Sequence, residues 1–179
     1  MLCVFYLIGH RISYQLTMQE EIAHEKAQEP VQESARFSER LQREISDDEL
    51  YLLNMITYME AGNQSLEGQI AVTAVVLNRL ENGAFGDCLW NVLFASNAFE
   101  PCQNGQFVRR NGQVITQVPE SLKEQIANAV DRALSGEDPT NGAYYFYNQL
   151  YCSEEELQMR ENIGGVTKIG FHIFYSQWS

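Results

Sequence analysis

Among the carboxylates of this 179-residue sequence, Glu60 is the one best placed to do chemistry. In the run LLNMITYMEAGN it follows Leu53 by seven residues and Ile56 by four. At about 100° per residue it therefore falls on the same helical stripe as those apolar side chains. A carboxylate turned toward a core is costly to ionise, so it is either held neutral with a raised pKa or set in the wall of a cleft. A carboxylic acid that stays neutral near pH 7 is what general-acid cleavage of a glycosidic bond requires. The plainer alternative is a helix-terminal Glu that curls to solvent beside Gly62. Glu67 has such a plain role at hand, because negative charge is favoured in the first turn of a helix.

Other polar groups stand in apolar surroundings. Arg79, after Asn78 at the end of an apolar run, can satisfy carbonyls at a helix C-terminus. His172, within IGFHIFY, is either a hydrogen-bonded structural residue or a group of tunable pKa with a direct role. Tyr144, Tyr145, Phe146, Tyr147 and Tyr151 could stack on sugar rings, although such clusters also pack cores and strands. Cys3, Cys88, Cys102 and Cys152 form no C-x-x-C and have no His at ligand spacing, so no metal site or cofactor is expected. Cys88 and Cys102 could pair in an oxidising compartment, with two buried thiols the slightly preferred reading. Calcium stays open in so acidic a chain, although no D-x-[DN]-x-[DN]-G loop occurs.

These residues need elements to hold them. Ser46-Asp47-Asp48-Glu49 has the S-x-x-E form of a capping box, so a helix and the folded domain should start there. Gly62 should stop that helix in the left-handed conformation. Ser65 reads as the next cap, leading into Leu66 to Leu80, where Ile70 to Leu77 are apolar around the circumference; such a helix must be buried at the centre. Glu81-Asn82-Gly83 ends it, and a short apolar element spans Asp87 to Ala95. In FVRRNGQVIT, Asn111-Gly112 suits a two-residue hairpin turn. Pro119 opens a helix with Leu122, Ile126, Ala129, Val130 and Ala133 on one face, closed by Gly136. Extended stretches at Ala143–Asn148 and Val166–Tyr175 flank a short acidic helix capped by Ser153 and Glu156. The pattern is α+β with helices dominant.

Residues 1–45 read as an appendage and 46–179 as one domain. Thr17 to Arg43 is rich in Glu, Gln and Arg, as a linker or solvated helix would be. Met1 to Gly9 is apolar but completes neither a signal peptide nor a spanning helix, which fits an export signal or anchor whose start is missing as well as an ordinary apolar N-terminus. Hydrophobic residues make up 45% and charged residues 20%, enough for a real core. The net charge is −12, and from Asp47 onward 7 basic residues face 17 acidic ones. With Arg109-Arg110 the only basic doublet, nucleic acid is not a partner.

The segment Leu52–Arg79, LLNMITYMEAGNQSLEGQIAVTAVVLNR, resembles the signature of the spore cortex-lytic (SleB/CwlJ-type) cell-wall hydrolases. The likeness continues through Phe85, NAFEP, AYYFYN and VTKIGFHIFY, over roughly residues 48–176. It implies a helix-dominated α+β, lysozyme-like or lytic-transglycosylase-like domain with a small β portion. Glu60 occupies the place of the family's catalytic acid. Glu67, Gln69, Asn78, Arg79, Phe99, His172 and Tyr175 match positions that resemble those framing its cleft, as does Gly170. Many relatives read E-A-R-G-E where this chain has Glu60-Ala61-Gly62-Asn63-Gln64, so their Arg and second acid are missing here. No peptidoglycan-binding repeat precedes the domain.

The resemblance implies an extracytoplasmic enzyme cutting peptidoglycan between N-acetylmuramic acid and N-acetylglucosamine; nothing in the sequence indicates a protein partner, and a monomer is expected. One carboxylate suffices for a lytic transglycosylase that closes a 1,6-anhydro ring. A water-using muramidase or glucosaminidase would need a second acid about 5–9.5 Å away, with only Glu67 or Glu100 on offer. A silent glycan-binding module is the alternative from another class. An amidase is poorer, since such enzymes commonly use zinc.

Overall fold

Ser46 caps the first helix as its sequence predicts: its hydroxyl accepts from the Glu49 amide while the Glu49 carboxylate accepts from the Ser46 amide. The computed structural model describes residues 36–103, 109–110, 113–114, 117–160 and 166–176. The apolar start Met1–Gly9, Cys3 and most of the charged stretch lie outside them. Among the described residues no helix is long and apolar enough to cross a membrane.

In chain order the elements are β1 (Arg36–Ser38), β2 (Arg43–Ile45), α1 (Asp47–Ala61), α2 (Leu66–Asn82), α3 (Leu89–Phe94), α4 (Glu100–Gln103), β3 (Arg109–Arg110), β4 (Gln113–Val114), α5 (Glu120–Leu134), β5 (Tyr145–Asn148), α6 (Glu154–Arg160), β6 (Thr167–Ile169) and β7 (His172–Tyr175), with a 3-10 turn at Gln149–Tyr151. Helix α2 is the central helix: every residue from Gly68 to Arg79 is buried. It packs against α1, α3 and α5 and carries β5 and β6 beside it. Leu53, Ile56, Ile70, Leu77, Leu93 and Val130 belong to the main core. Inside it the hydroxyls of Thr57 and Thr73 satisfy each other at 2.7 Å, and Thr73 also donates to the Gln69 carbonyl.

Several expectations are met in detail. Ser65 caps α2, Gly83 ends it at φ 73, and Ser153 with Glu156 forms the second capping box before α6. Arg109 pairs with Val114 and Arg110 with Gln113 in an antiparallel pair, while Asn111-Gly112, where the turn is expected, lie outside the described residues.

Others need correction. Residues 36–45 are an antiparallel hairpin, not a solvated helix, because Ser38 and Ile45 bury completely and Ser38 donates to the Leu134 carbonyl at the end of α5. Gly62 is right-handed (φ −61), so its requirement is space: a Cβ there would sit 2.5 Å from the Tyr58 carbonyl oxygen. Val166–Tyr175 is two strands in a sheet of order β5-β7-β6, turned at Gly170 with φ 57. Cys88 is exposed and Cys102 half-buried, and no bond joins them, so Cys88 and Cys102 are neither a disulfide nor two buried thiols.

Candidate active site

The stripe of α1 that carries Leu53 and Ile56 into the core runs on to Glu60 in the last turn, where the core gives way to a cleft of about 930 Å³. Tyr58, Glu60 and Asn63 from α1 and its following turn form one side. Arg79 of α2 and the segment Ala98–Pro101 form another, and Phe146, Tyr147, Asn148 and His172 of the sheet complete it, with Tyr151 and Cys152 at the rim.

Glu60 is half-buried, and its pKa is raised to about 7. Burial is the chief cause, the charge of Glu100 adds to it, and the Arg79 guanidinium opposes it. Its place in the last turn acts the same way, since the free carbonyls there disfavour a carboxylate. Among the described residues nothing donates a hydrogen bond to the Glu60 carboxyl and no ion pair holds it. The result is an acid that keeps its proton in half the molecules near neutrality.

Arg79 is committed elsewhere. Its Nε donates to the Tyr144 carbonyl at 2.7 Å and its Nη1 to the Ala98 carbonyl at 3.2 Å. The guanidinium lies 4.6 Å from the Phe99 ring centre, 5.3 Å from Phe85 and 5.6 Å from Tyr145. Aromatic faces and carbonyls thus hold this buried cation, and burial lowers its pKa.

His172 is buried edge-on to Phe146, their ring centres 5.2 Å apart, and among the described residues its Nδ1 has no hydrogen-bond partner. Burial lowers its pKa, so the imidazole is neutral at pH 7.

Of the residues singled out from sequence, Glu60, Arg79, Phe99 and His172 converge on the cleft. Four do not line it. Glu67 is exposed in the first turn of α2, where its charge suits the helix N-terminus. Gln69 is buried behind the site and donates to the Gln64 carbonyl at 3.3 Å. Asn78 donates to Asp138 at 3.0 Å and to the Ala143 carbonyl at 2.9 Å, and accepts from Arg40. Tyr175 is buried and stacks on Tyr145 at 5.3 Å. These last three brace the walls. Glu100, which the sequence offers only as a possible second acid, does line the cleft. Tyr58, Asn63, Asn148 and Cys152 carried no signal of their own, whereas Tyr147 and Tyr151 come from the aromatic cluster. Among the described residues no group of His, Cys, Asp and Glu could hold a metal ion.

A family model described as Cell Wall Hydrolase matches residues 63–175, beginning three residues after Glu60. The spore cortex-lytic enzyme of Halalkalibacterium halodurans is 35% identical over 129 residues, 72% of this chain and 35% of that one. That of Bacillus subtilis is 31% identical over 72% of this chain and 38% of its own length. The chain thus spans well under half the length of these curated relatives. The solved catalytic domain of the Bacillus cereus SleB protein superposes with a TM-score of 0.55 at 30% identity, covering 71% of this chain and 88% of that one. The catalytic domain of the germination-specific lytic transglycosylase SleB from Bacillus anthracis gives 0.58 at 28% identity, covering 74% and 97%. These likenesses agree with a helix-dominated, lysozyme-like domain with small sheets.

Proposed function

The chain belongs to the cell wall hydrolase family, and from that premise we propose that it cleaves the glycan strands of peptidoglycan with Glu60 as proton donor. The observation that carries this reading is the Glu60 carboxyl itself, buried enough to hold its pKa near 7 in the wall of a cleft of about 930 Å³ lined with aromatic side chains. Such a substrate lies outside the cytoplasm, in the cell envelope or the spore, and the chain is proposed to act there.

In the reaction, neutral Glu60 gives its proton to the bridging oxygen between N-acetylmuramic acid and N-acetylglucosamine as the glycosidic bond breaks. The oxocarbenium character on the muramic acid C1 is met by its own 6-hydroxyl. Glu60, now a carboxylate, takes the hydroxyl proton as the 1,6-anhydro ring closes, and is again the acid it was at the start. One residue serves both steps, so no water has to be placed. The neutral His172 and the phenols of Tyr147 and Tyr151 offer surface for the sugar rings without adding charge to the site.

Glu100 gives a water-using muramidase or glucosaminidase its one specific support, since it is a second carboxylate in the same cleft. Mass spectrometry of muropeptides released from purified sacculi and from spore cortex separates the readings. Anhydro ends from the wild type and nothing from Glu60→Gln are expected. Reducing ends alone would establish hydrolysis, and binding to sacculi with no release by either protein would make this a glycan-binding module.

A further inference from the structure

The segment that carries Glu100 is held from several directions. Phe99 and Pro101, on either side of it, are both buried. The Ala98 carbonyl accepts from Arg79 at 3.2 Å, the Cys102 amide donates to the Phe99 carbonyl at 3.1 Å, and Gln103 donates to the Ala95 carbonyl at 2.9 Å. The Arg79 guanidinium carbon sits over the Phe99 ring, 4.6 Å from its centre. A short helix of four residues would otherwise be a poor platform, but here its first residue, exposed to solvent, has its backbone fixed and lines the same cleft as Glu60.

Around this cleft the titratable groups are Arg79 on α2, Glu100 and Cys102 on α4, His172 on β7, Tyr58 beside Glu60 on α1, and Tyr147, Tyr151 and Cys152 at the sheet end. Among the described residues that line it, only Arg79 and Glu100 are of formally charged type besides Glu60. Burial and the nearby Glu60 push the Cys102 thiol up to about 12, and burial keeps His172 neutral, so neither contributes charge at pH 7. Arg79, spent on carbonyls and aromatic faces, acts on Glu60 less than Glu100 does.

We propose that Glu100, set at the cleft by the fixed backbone of its segment, is a positioning residue whose negative charge acts on Glu60 and not on the reacting sugar. This rests on the reading of Glu60 as the proton donor. Like charges in one cleft resist joint ionisation, so Glu100 as a carboxylate widens the pH range over which Glu60 carries the proton it must give. Glu100 itself makes and breaks no bond.

The experiment uses the full chain with Glu100→Gln, Glu100→Asp and Glu60→Gln. Two quantities are followed from pH 4.5 to 9: release of muropeptides from sacculi, and the carboxyl carbon resonance of Glu60 in ¹³C-glutamate-labelled protein, assigned by its disappearance in Glu60→Gln. In Glu100→Gln the Glu60 midpoint and the alkaline limb of the activity profile are expected to move down together by about 0.5–1 pH. Release then falls roughly two- to fivefold at pH 7, further at pH 8, and stays unchanged at pH 5. Glu100→Asp should keep most of the wild-type profile.

A Glu60 midpoint that stays in place in Glu100→Gln overturns the proposal. So does a loss of more than about a hundredfold at every pH, which would make Glu100 a catalytic residue touching substrate. If the wild type releases nothing from any substrate, the functional reading fails, while the Glu60 resonance still decides whether Glu100 acts on it.

Discussion

The guanidinium of Arg79 lies 4.6 Å from the centre of the Phe99 ring while its Nη1 holds the Ala98 carbonyl, so one side chain ties the central helix to the cleft wall. A planar fork is needed to stack on a ring and reach two carbonyls at once. Arg79→Lys keeps the charge and loses both. It is expected to cost about 1–3 kcal/mol, mostly through carbonyls left unpaired in a buried place. Release of muropeptides should fall more than stability alone explains, because the segment carrying Phe99 and Glu100 loosens. Urea melts beside release assays check this, and a lysine variant with wild-type stability would show the clamp to be idle.

Glu60 should make the protein less stable as pH rises. Its folded pKa of about 7 lies above the ordinary 4.5, so the neutral form is favoured in the fold. The two states bind protons equally below pH 4.5, and the folded state is penalised progressively as pH rises to 7, by a few kcal/mol at most. Glu60→Gln escapes that cost. The variant should match the wild type near pH 4 and melt several degrees higher at pH 8, measured by calorimetry across the range. Equal melting temperatures at pH 8 would mean that Glu60 ionises freely.

Gly170→Ala should be destabilising by about 1–2 kcal/mol because φ is 57 at the β6–β7 turn. A Cβ would also meet Gln64 Oε1 at 2.7 Å, the oxygen that accepts from the Phe171 amide at 3.4 Å. Pairing the change with Gln64→Ala separates the two effects. Backbone strain survives removal of the Gln64 side chain, and the clash does not. A Gly170→Ala protein that unfolds at the wild-type denaturant midpoint would contradict this.

Asp138 should protect the fold against acid. Burial works against its charge, but hydrogen bonds from the Thr140 hydroxyl and amide, Asn78 and the Gly142 amide outweigh it and hold its pKa below 3.8. Its contribution is therefore present above pH 3.8 and lost as pH falls through the lower folded value. Asp138→Ala should lose about 1–3 kcal/mol at pH 7 and lose less as the medium approaches pH 3, as acid-dependent melts would show. A cost independent of pH would place the effect in packing.

Much was legible in order of residues because it is local. Capping needs only Ser46 and Glu49 three apart, burial of α2 only an unbroken apolar circumference, and the aim of Glu60 only its spacing from Leu53 and Ile56. The N-terminal hairpin was not legible, because Arg36–Ser38 and Arg43–Ile45 become strands by burying Ser38 against the end of distant α5 and Ile45 in the main core. Nor was the division among the family-matching positions. Gln69, Asn78 and Tyr175 are as polar in sequence as His172, and only packing turns them into braces while His172 reaches the cleft.

What the residue order determined by itself is therefore the helices, their caps and one carboxylate on an apolar stripe, since each depends on neighbours within a few positions. What the tertiary structure alone decided is that carboxylate's chemistry. Its pKa near 7 depends on how much water the cleft excludes and on Glu100, forty residues away, lining the same cleft. Desolvation and charge proximity are properties of three-dimensional distance, which no spacing along the chain prescribes.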